Sequence, residues 1–200
     1  MRIMKIIGLT GGIATGKSTV SKILAKRGYE IIDADAVVHE LQVPGSPLLN
    51  KIVNAFGLTV LHKDGNLNRG KLGKIIFGNE VARAQLDKIV HPDLRAEFNR
   101  RIQLSKADIL FLDVPLLFEA GFDDMTAANL VISAPAKEQL KRLMLRDGLS
   151  EQEALARIDS QMAMSEKIAR ADFVIDNSGD LNALAENVDK ILRVIKRSSD

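Results

Sequence analysis

The sequence predicts an α/β fold in which a parallel sheet is covered by helices on both faces. Three observations predict it. Short apolar runs alternate with helical stretches along most of the chain, and strands that are apolar throughout belong to sheets buried on both sides. The first such run leads straight into GGIATGKS at residues 11–18, which opens a helix. Two further runs, Ile31-Ile32-Asp33 and Ile109-Leu110-Phe111-Leu112-Asp113, end on a carboxylate.

Each element follows from local pattern. The first strand is expected over residues 3–9, and the helix after the glycine loop over 17–27, with Gly28 as its stop. The second strand is residues 30–33. The alternation then fails: residues 44–91 read as short helices over 47–56, 68–77 and 80–90, with a turn at Lys63-Asp64-Gly65-Asn66, and form an insertion beside the sheet. His91-Pro92 reads as a new helix start with Pro in the first turn, running to residue 105. Strands follow at 109–113, 130–133 and 173–176, helices at 137–146 and 151–162, and an amphipathic helix over 181–196 closes the chain.

Composition bounds the function. A chain of 200 residues, 46% hydrophobic and 27% charged, suits one ordinary globular domain with a small insertion. It has no cysteine, so disulfides and thiolate metal sites are excluded and a reducing, cytoplasmic setting is expected. Lys5 and the early glycines interrupt the first apolar run, so no signal peptide is expected, and no run is long enough to span a membrane. A net charge of +2, no Trp and a single Tyr give little for nucleic acid to bind, so none is expected as a partner.

GGIATGKS matches the phosphate-binding pattern G-x-x-x-x-G-K-[ST] in its required setting, after a strand and before a helix. The glycines let backbone N–H groups converge on phosphate oxygens, and the helix N-terminus adds its positive end. Lys17 reaches the outer phosphates and the Ser18 hydroxyl ligates Mg²⁺. Asp113, ending a buried strand, is a second Mg²⁺ group. Asp33 and Asp35, two apart, are expected on one side of the strand end, where open parallel sheets bind ligands and a carboxylate can take a proton from an attacking alcohol or orient Mg²⁺; an Asp there can also simply cap a helix. Arg142 and Arg146, four apart, share a helix face that either clamps phosphate or is merely solvated. Lone histidines such as His39 and His91 show no metal spacing. Asp176-Asn177-Ser178-Gly179 is a turn whose amides could border a base.

These residues leave a nucleoside triphosphatase or a kinase. No Asn-Lys-x-Asp guanine motif and no ATP-binding-cassette signature is present. Across nearly the whole chain the blocks GLTGGIATGKSTV (8–20), IIDADAVVHEL (31–41), PGSP (44–47), HP (91–92), DVPLLFEAGFD (113–123), KRLMLRDGLSEQEALARIDSQM (141–162) and ADFVIDNSG (171–179) resemble the dephospho-coenzyme A kinase family. The resemblance implies a P-loop NTPase three-layer sandwich with a five-stranded parallel sheet: a core of about 1–43, 106–136 and 171–200, a helical substrate-binding region of about 44–105 and a helical lid of about 137–170.

It implies transfer of the ATP γ-phosphoryl, with Mg²⁺, to the ribose 3′-hydroxyl of dephospho-coenzyme A, by a cytoplasmic monomer or weak homo-oligomer. Gly11, Gly12, Ile13, Ala14, Thr15, Gly16, Lys17, Ser18, Thr19 and Asn177 then hold the nucleotide. Asp35, Lys17, Arg142 and Arg146 carry the chemistry, Asp35 as general base. Asp33, His91, Leu116, Leu117 and Phe118 lie on the acceptor side, and Ser18 and Asp113 beside the metal. A kinase of another acceptor such as a nucleoside, or a nucleotide-binding switch, are the alternatives. The chain departs from the family in one place: many members have Gly and Ser where Ala14 and Thr15 stand. If position 14 needs positive φ, the loop is strained, and affinity rather than chemistry should feel it.

Overall fold

The computed structural model describes residues 4–197. Its five strands are β1 (Lys5–Gly11), β2 (Glu30–Asp33), β3 (Ile109–Asp113), β4 (Ala128–Ser133) and β5 (Phe173–Asp176). The described residues also form nine α-helices: α1 (Lys17–Lys26), α2 (Ala34–Leu41), α3 (Pro47–Phe56), α4 (Arg69–Ile76), α5 (Glu80–Leu104), α6 (Ala136–Asp147), α7 (Glu151–Asp159), α8 (Met164–Ala169) and α9 (Leu181–Arg197). Ile3, where the first strand was expected to begin, lies outside the described residues.

The sheet is parallel, in the order β2-β3-β1-β4-β5. β1 lies at its centre because Ile7 to Gly11 are buried on both faces. The register sets Leu9 against Asp113 and Gly11 against Ile132, so the start of the glycine loop and the end of β3 meet at one edge. Ile7 and Leu9 of β1, with Phe111 and Ile132, share a core with Val20 and Leu24 of α1. α9 joins that core through Leu184, Val188, Leu192 and Ile195, a stripe at helical spacing. Each such side chain, fully buried, stabilises by about 1.5–3 kcal/mol before entropy is counted.

The chain forms two compact units: residues up to Ile32 together with those from Lys106 onward, and Asp33–Ser105. The second unit is helical and has its own core of Leu48, Leu49, Ile52, Val60, Leu67 and Leu72. Two expectations are corrected here. Asp33 and Asp35 do not lie side by side on a strand. β2 ends at Asp33, whose Oδ1 accepts the N–H groups of Asp35 (2.8 Å) and Ala36 (3.2 Å), and Asp35 sits in the first turn of α2. Asp33 is therefore the N-cap that starts the helix.

Nor does a helix begin at Pro92. It lies inside α5, which runs unbroken for 25 residues. An interior Pro removes one backbone hydrogen bond at a cost of roughly 3 kcal/mol in an isolated helix. Here Leu86, Ile89 and Val90 pack on the helical core before the proline, the turns after it bury Leu94 and Phe98, and Lys51 Nζ donates to both carboxylate oxygens of Asp93 (2.8 and 2.9 Å), so packing on both sides of the proline holds the helix together. Two smaller differences follow. α7 stops at Asp159, not 162, and α8 was not expected. No helix of the described residues is long and apolar enough to cross a membrane.

Candidate active site

The glycine loop is built by a left-handed step repeated twice. Ala14 has φ 60°, the only positive φ outside glycine among the described residues, and Gly16 has φ 94°. Thr15, fully buried between them, donates from Oγ1 to Gly12 O (2.9 Å), and its N–H donates to the same oxygen (3.2 Å). Alternation of right- and left-handed residues turns successive N–H groups inward as an anion-binding nest. α1 follows Gly16 with no side-chain cap, as α6 and α8 follow Pro135 and Ala163, whereas α2, α3, α4, α5 and α7 are capped by Asp33, Ser46, Asn68, Asn79 and Ser150. A helix start left without a side-chain acceptor suits an anionic ligand.

Side chains approach two glycines of the loop closely. A Cβ at Gly12 would lie 2.7 Å from Gln139 Nε2 and 2.8 Å from Met164 Cε. A Cβ at Gly16 would lie 2.1 Å from Asn177 Nδ2, which donates to Thr15 O (2.8 Å). Asn177 is buried, its N–H donates to Ser133 O (2.8 Å), and its carbonyl accepts from Arg142 Nη2 (3.0 Å). The turn after β5 is thus tied both to the loop and to α6.

Lys17 Nζ donates to Asp113 Oδ1, so the P-loop lysine and the carboxylate at the end of β3 form an ion pair, with Asp113 only 2% exposed. Ser18 is exposed in the first turn of α1. The donors offered here are oxygens alone, and among the described residues no group of three or more His, Cys, Asp or Glu gathers as a metal cage. Mg²⁺ in phosphoryl-transfer sites takes one or two protein oxygens and completes its shell with phosphates and water, so Ser18 and Asp113 fit it.

Arg142 and Arg146 share α6 but not a partner. Arg146 donates to both oxygens of Asp147 (2.7 and 3.1 Å), and Arg157 donates to Asp147 Oδ2 (2.9 Å). The hydrogen bonds from Arg146 hold the Asp147 carboxyl below its ordinary pKa despite some desolvation, with the nearby guanidinium charges adding to them. The segment after β3 is pinned as well. Pro115 O accepts from Thr10 Oγ1 (2.9 Å) and from Lys167 Nζ (3.2 Å). Lys167 is fully buried and pairs with Glu119 (2.7 Å), which also accepts Met162 N–H (3.1 Å). Leu117 and Phe118 are buried, and the Arg170 guanidinium lies 4.5 Å over the Phe118 ring. Of the three apolar residues expected on the acceptor side, only Leu116 presents a solvent face.

In the helical unit, Asp33 and Asp35 are both exposed at the start of α2. His91 lies on α5, its Nε2 3.7 Å from Asp87 one turn earlier. Sequence reasoning missed Gln139, Gln161, Glu119 and Lys167. Gln161 accepts Ile13 N–H (2.9 Å) and Gln139 Nε2 donates to Ile13 O (2.8 Å), so α6 and the chain after α7 both touch the glycine loop. Glu119 and Gln161 stand inside the blocks DVPLLFEAGFD and KRLMLRDGLSEQEALARIDSQM, but no spacing rule marks a lone amide or a buried ion pair.

A family model described as dephospho-CoA kinase matches residues 5–183. The dephospho-CoA kinase of Carboxydothermus hydrogenoformans is 46% identical over 196 residues, covering 96% of this chain and 95% of that protein. That of Bacillus cereus is 46% identical over 191 residues, covering 94% and 96%. Among solved structures, dephospho-CoA kinase from Campylobacter jejuni is 33% identical with a TM-score of 0.73, covering 99% of this chain and 100% of that one. A Thermus thermophilus protein, TT1252, is 34% identical with a TM-score of 0.83, covering 95% and 97%. Shikimate kinase from Acinetobacter baumannii, 17% identical with a TM-score of 0.56, covering 98% of this chain and 96% of its own, shares the fold. The glycine loop, the carboxylate at the end of β3 and the helices touching the loop all lie within the matched stretch, and the chain belongs to the dephospho-CoA kinase family.

Proposed function

We propose that this chain transfers the γ-phosphoryl group of ATP to the 3′-hydroxyl of the ribose of dephospho-coenzyme A, giving coenzyme A and ADP. The observation that carries the reading is the nest at Ala14 and Gly16, joined to an uncapped helix start and to the Lys17–Asp113 pair, in a chain of this family.

In this reading, the backbone N–H groups of residues 14 and 16–18, at the N-terminus of α1, hold the β- and γ-phosphates, while those of Ile13 and Thr15 are spent on Gln161 and Gly12. Lys17 follows the charge that builds on the transferring group. Mg²⁺, held through Ser18 and Asp113, neutralises phosphate oxygens when bound. The Asp35 carboxylate takes the proton of the 3′-hydroxyl as that oxygen bonds to the γ-phosphorus, and the bond from phosphorus to the β–γ bridging oxygen breaks, leaving ADP. Arg142 and Arg146 add positive charge from α6, and residues 137–170 act as a lid that excludes water, because an open site hydrolyses ATP. Asn177 borders the adenine. Asp33, His91 and residues 116–118 border the acceptor, and the work is done in the cytoplasm.

The test is ADP release by the purified chain with ATP and Mg²⁺, measured with and without dephospho-coenzyme A. ADP and coenzyme A should appear together, only when acceptor and Mg²⁺ are both present. Equal ADP release without acceptor, or with nucleosides in its place, would sink the assignment.

A further inference from the structure

We propose that Gln139 and Gln161 are positioning residues for ATP, Gln139 by holding the Ile13–Ala14 peptide in its anion-binding orientation. The proposal rests on the reading that the glycine loop binds the phosphates of ATP.

The argument starts at Ala14. Its φ of 60° is a conformation that glycine adopts freely and alanine does not. A strained residue persists only where its surroundings hold it. The relaxed alternative is close at hand. If the peptide between Ile13 and Ala14 turned over, Ala14 would move to negative φ, the side an alanine prefers. A trans peptide is planar, with its C=O and N–H pointing opposite ways. Turning it over would therefore withdraw the Ala14 N–H from the cradle and put the Ile13 carbonyl oxygen there instead, a partial negative charge facing phosphate.

The structure shows what prevents this. Gln139 Nε2 donates to Ile13 O at 2.8 Å, and Gln139 is buried on α6 with its amide pressed against Gly12. Gln161 Oε1 accepts Ile13 N–H at 2.9 Å and so fixes the preceding peptide, Gly12–Ile13. Backbone polarity dictates which way each amide faces: the carbonyl of Ile13 must meet an NH₂ and its N–H must meet an oxygen. Two side chains more than a hundred residues downstream thus hold both faces of one loop residue. With glycine at position 14 neither orientation would be strained and the Gln139 bond would matter less. This chain carries alanine, and Gln139 offsets it.

The test is a double-mutant cycle on ATP binding, followed by calorimetry with Mg²⁺, and on the ATP KM and kcat. Gln139→Met keeps the length and burial of the side chain but removes the donor. It should weaken ATP binding about three- to tenfold, the span of one lost hydrogen bond, with kcat changed less than twofold. In an Ala14→Gly background the same change should weaken binding less than twofold. Gln161→Met should weaken ATP binding in both backgrounds alike, because the peptide it holds does not include Ala14. Equal losses for Gln139→Met in the two backgrounds, or no loss in the parent, would overturn the proposal. Gln139→Asn, too short to reach Ile13 O, carries the same comparison if Gln139→Met does not fold. Failure of the unaltered chain to bind ATP would instead overturn the reading of the loop itself, which separates the two outcomes.

Discussion

Asp33 and Asp35 carry the same group two positions apart, and the backbone treats them differently. Asp33 closes β2 and spends one oxygen on the N–H groups of Asp35 and Ala36. Asp35, in the first turn of α2, is exposed. Asn can accept the same bonds as a cap, so Asp33→Asn should leave the melting temperature nearly unchanged, whereas Asp33→Ala should cost about 1 kcal/mol. Asp35→Asn keeps shape but cannot take a proton. It should lower kcat by about 10²–10⁴-fold, with the ATP KM and the melting temperature close to the parent's. Steady-state kinetics and thermal melts of the three variants check this, and near-normal kcat in Asp35→Asn would remove that residue from the base role. Sequence alone placed both carboxylates on a strand because Asp-Ala-Asp fits a period of two as well as it fits a cap followed by a first turn. The glycine loop was legible because its backbone demands fixed residues at fixed intervals. Gln139 and Gln161 were not, since a side-chain amide that meets a distant peptide leaves no local pattern.

At the scale of elements, α5 shows how tertiary contacts override a local rule. Propensity splits it at Pro92, and the structure keeps it whole. Its last turns are laced by charge. Glu97 accepts from Arg100 (2.7 Å at each oxygen) and from Arg101 Nε (2.8 Å), and Arg101 also donates to Glu40 of α2. The hydrogen bond from Arg100, with that from Arg101 and the two positive charges, lowers the Glu97 pKa from 4.5 to about 2 against a smaller opposing effect of burial. A carboxyl whose pKa is depressed on folding stabilises fully above its unfolded value and loses that contribution as pH falls through its folded value. Glu97 thus supports α5, and through Arg101 the helix bearing Asp35, at neutral pH, and this support fades from about pH 4.5 towards 2. Glu97→Gln should melt lower than the parent at pH 7, by up to about 1 kcal/mol for pairs this exposed. The difference should shrink as the pH is lowered from 5 to 3. Melts giving the same difference at pH 7 and pH 3 would show that packing, not charge, sets the effect.

For the whole molecule, the alternation of strands and helices made the parallel sheet legible, because each strand has an apolar run at its centre, up to the five buried residues of β3. Strand order was not legible, since no strand carries a label for its neighbour; the order β2-β3-β1-β4-β5 emerges only in the structure. That order has a consequence for how the protein is made. β1 leaves the ribosome first, yet both of its neighbours come from beyond the inserted helices: Lys5 pairs with Ile109 and Gly11 with Ile132. At a synthesis rate of about 5–20 residues per second, the strand that leads into the glycine loop waits on the order of 5–25 s for either partner. A chain ending at residue 105 holds the complete GGIATGKS and still has neither flanking strand. It should therefore bind no ATP by calorimetry, and binding by that fragment would show that loop and helix need no sheet behind them. During translation the apolar β1 is an unpaired strand tethered to a helical unit that can close its own core first, which makes the nascent chain a natural client for a chaperone that shields exposed strands.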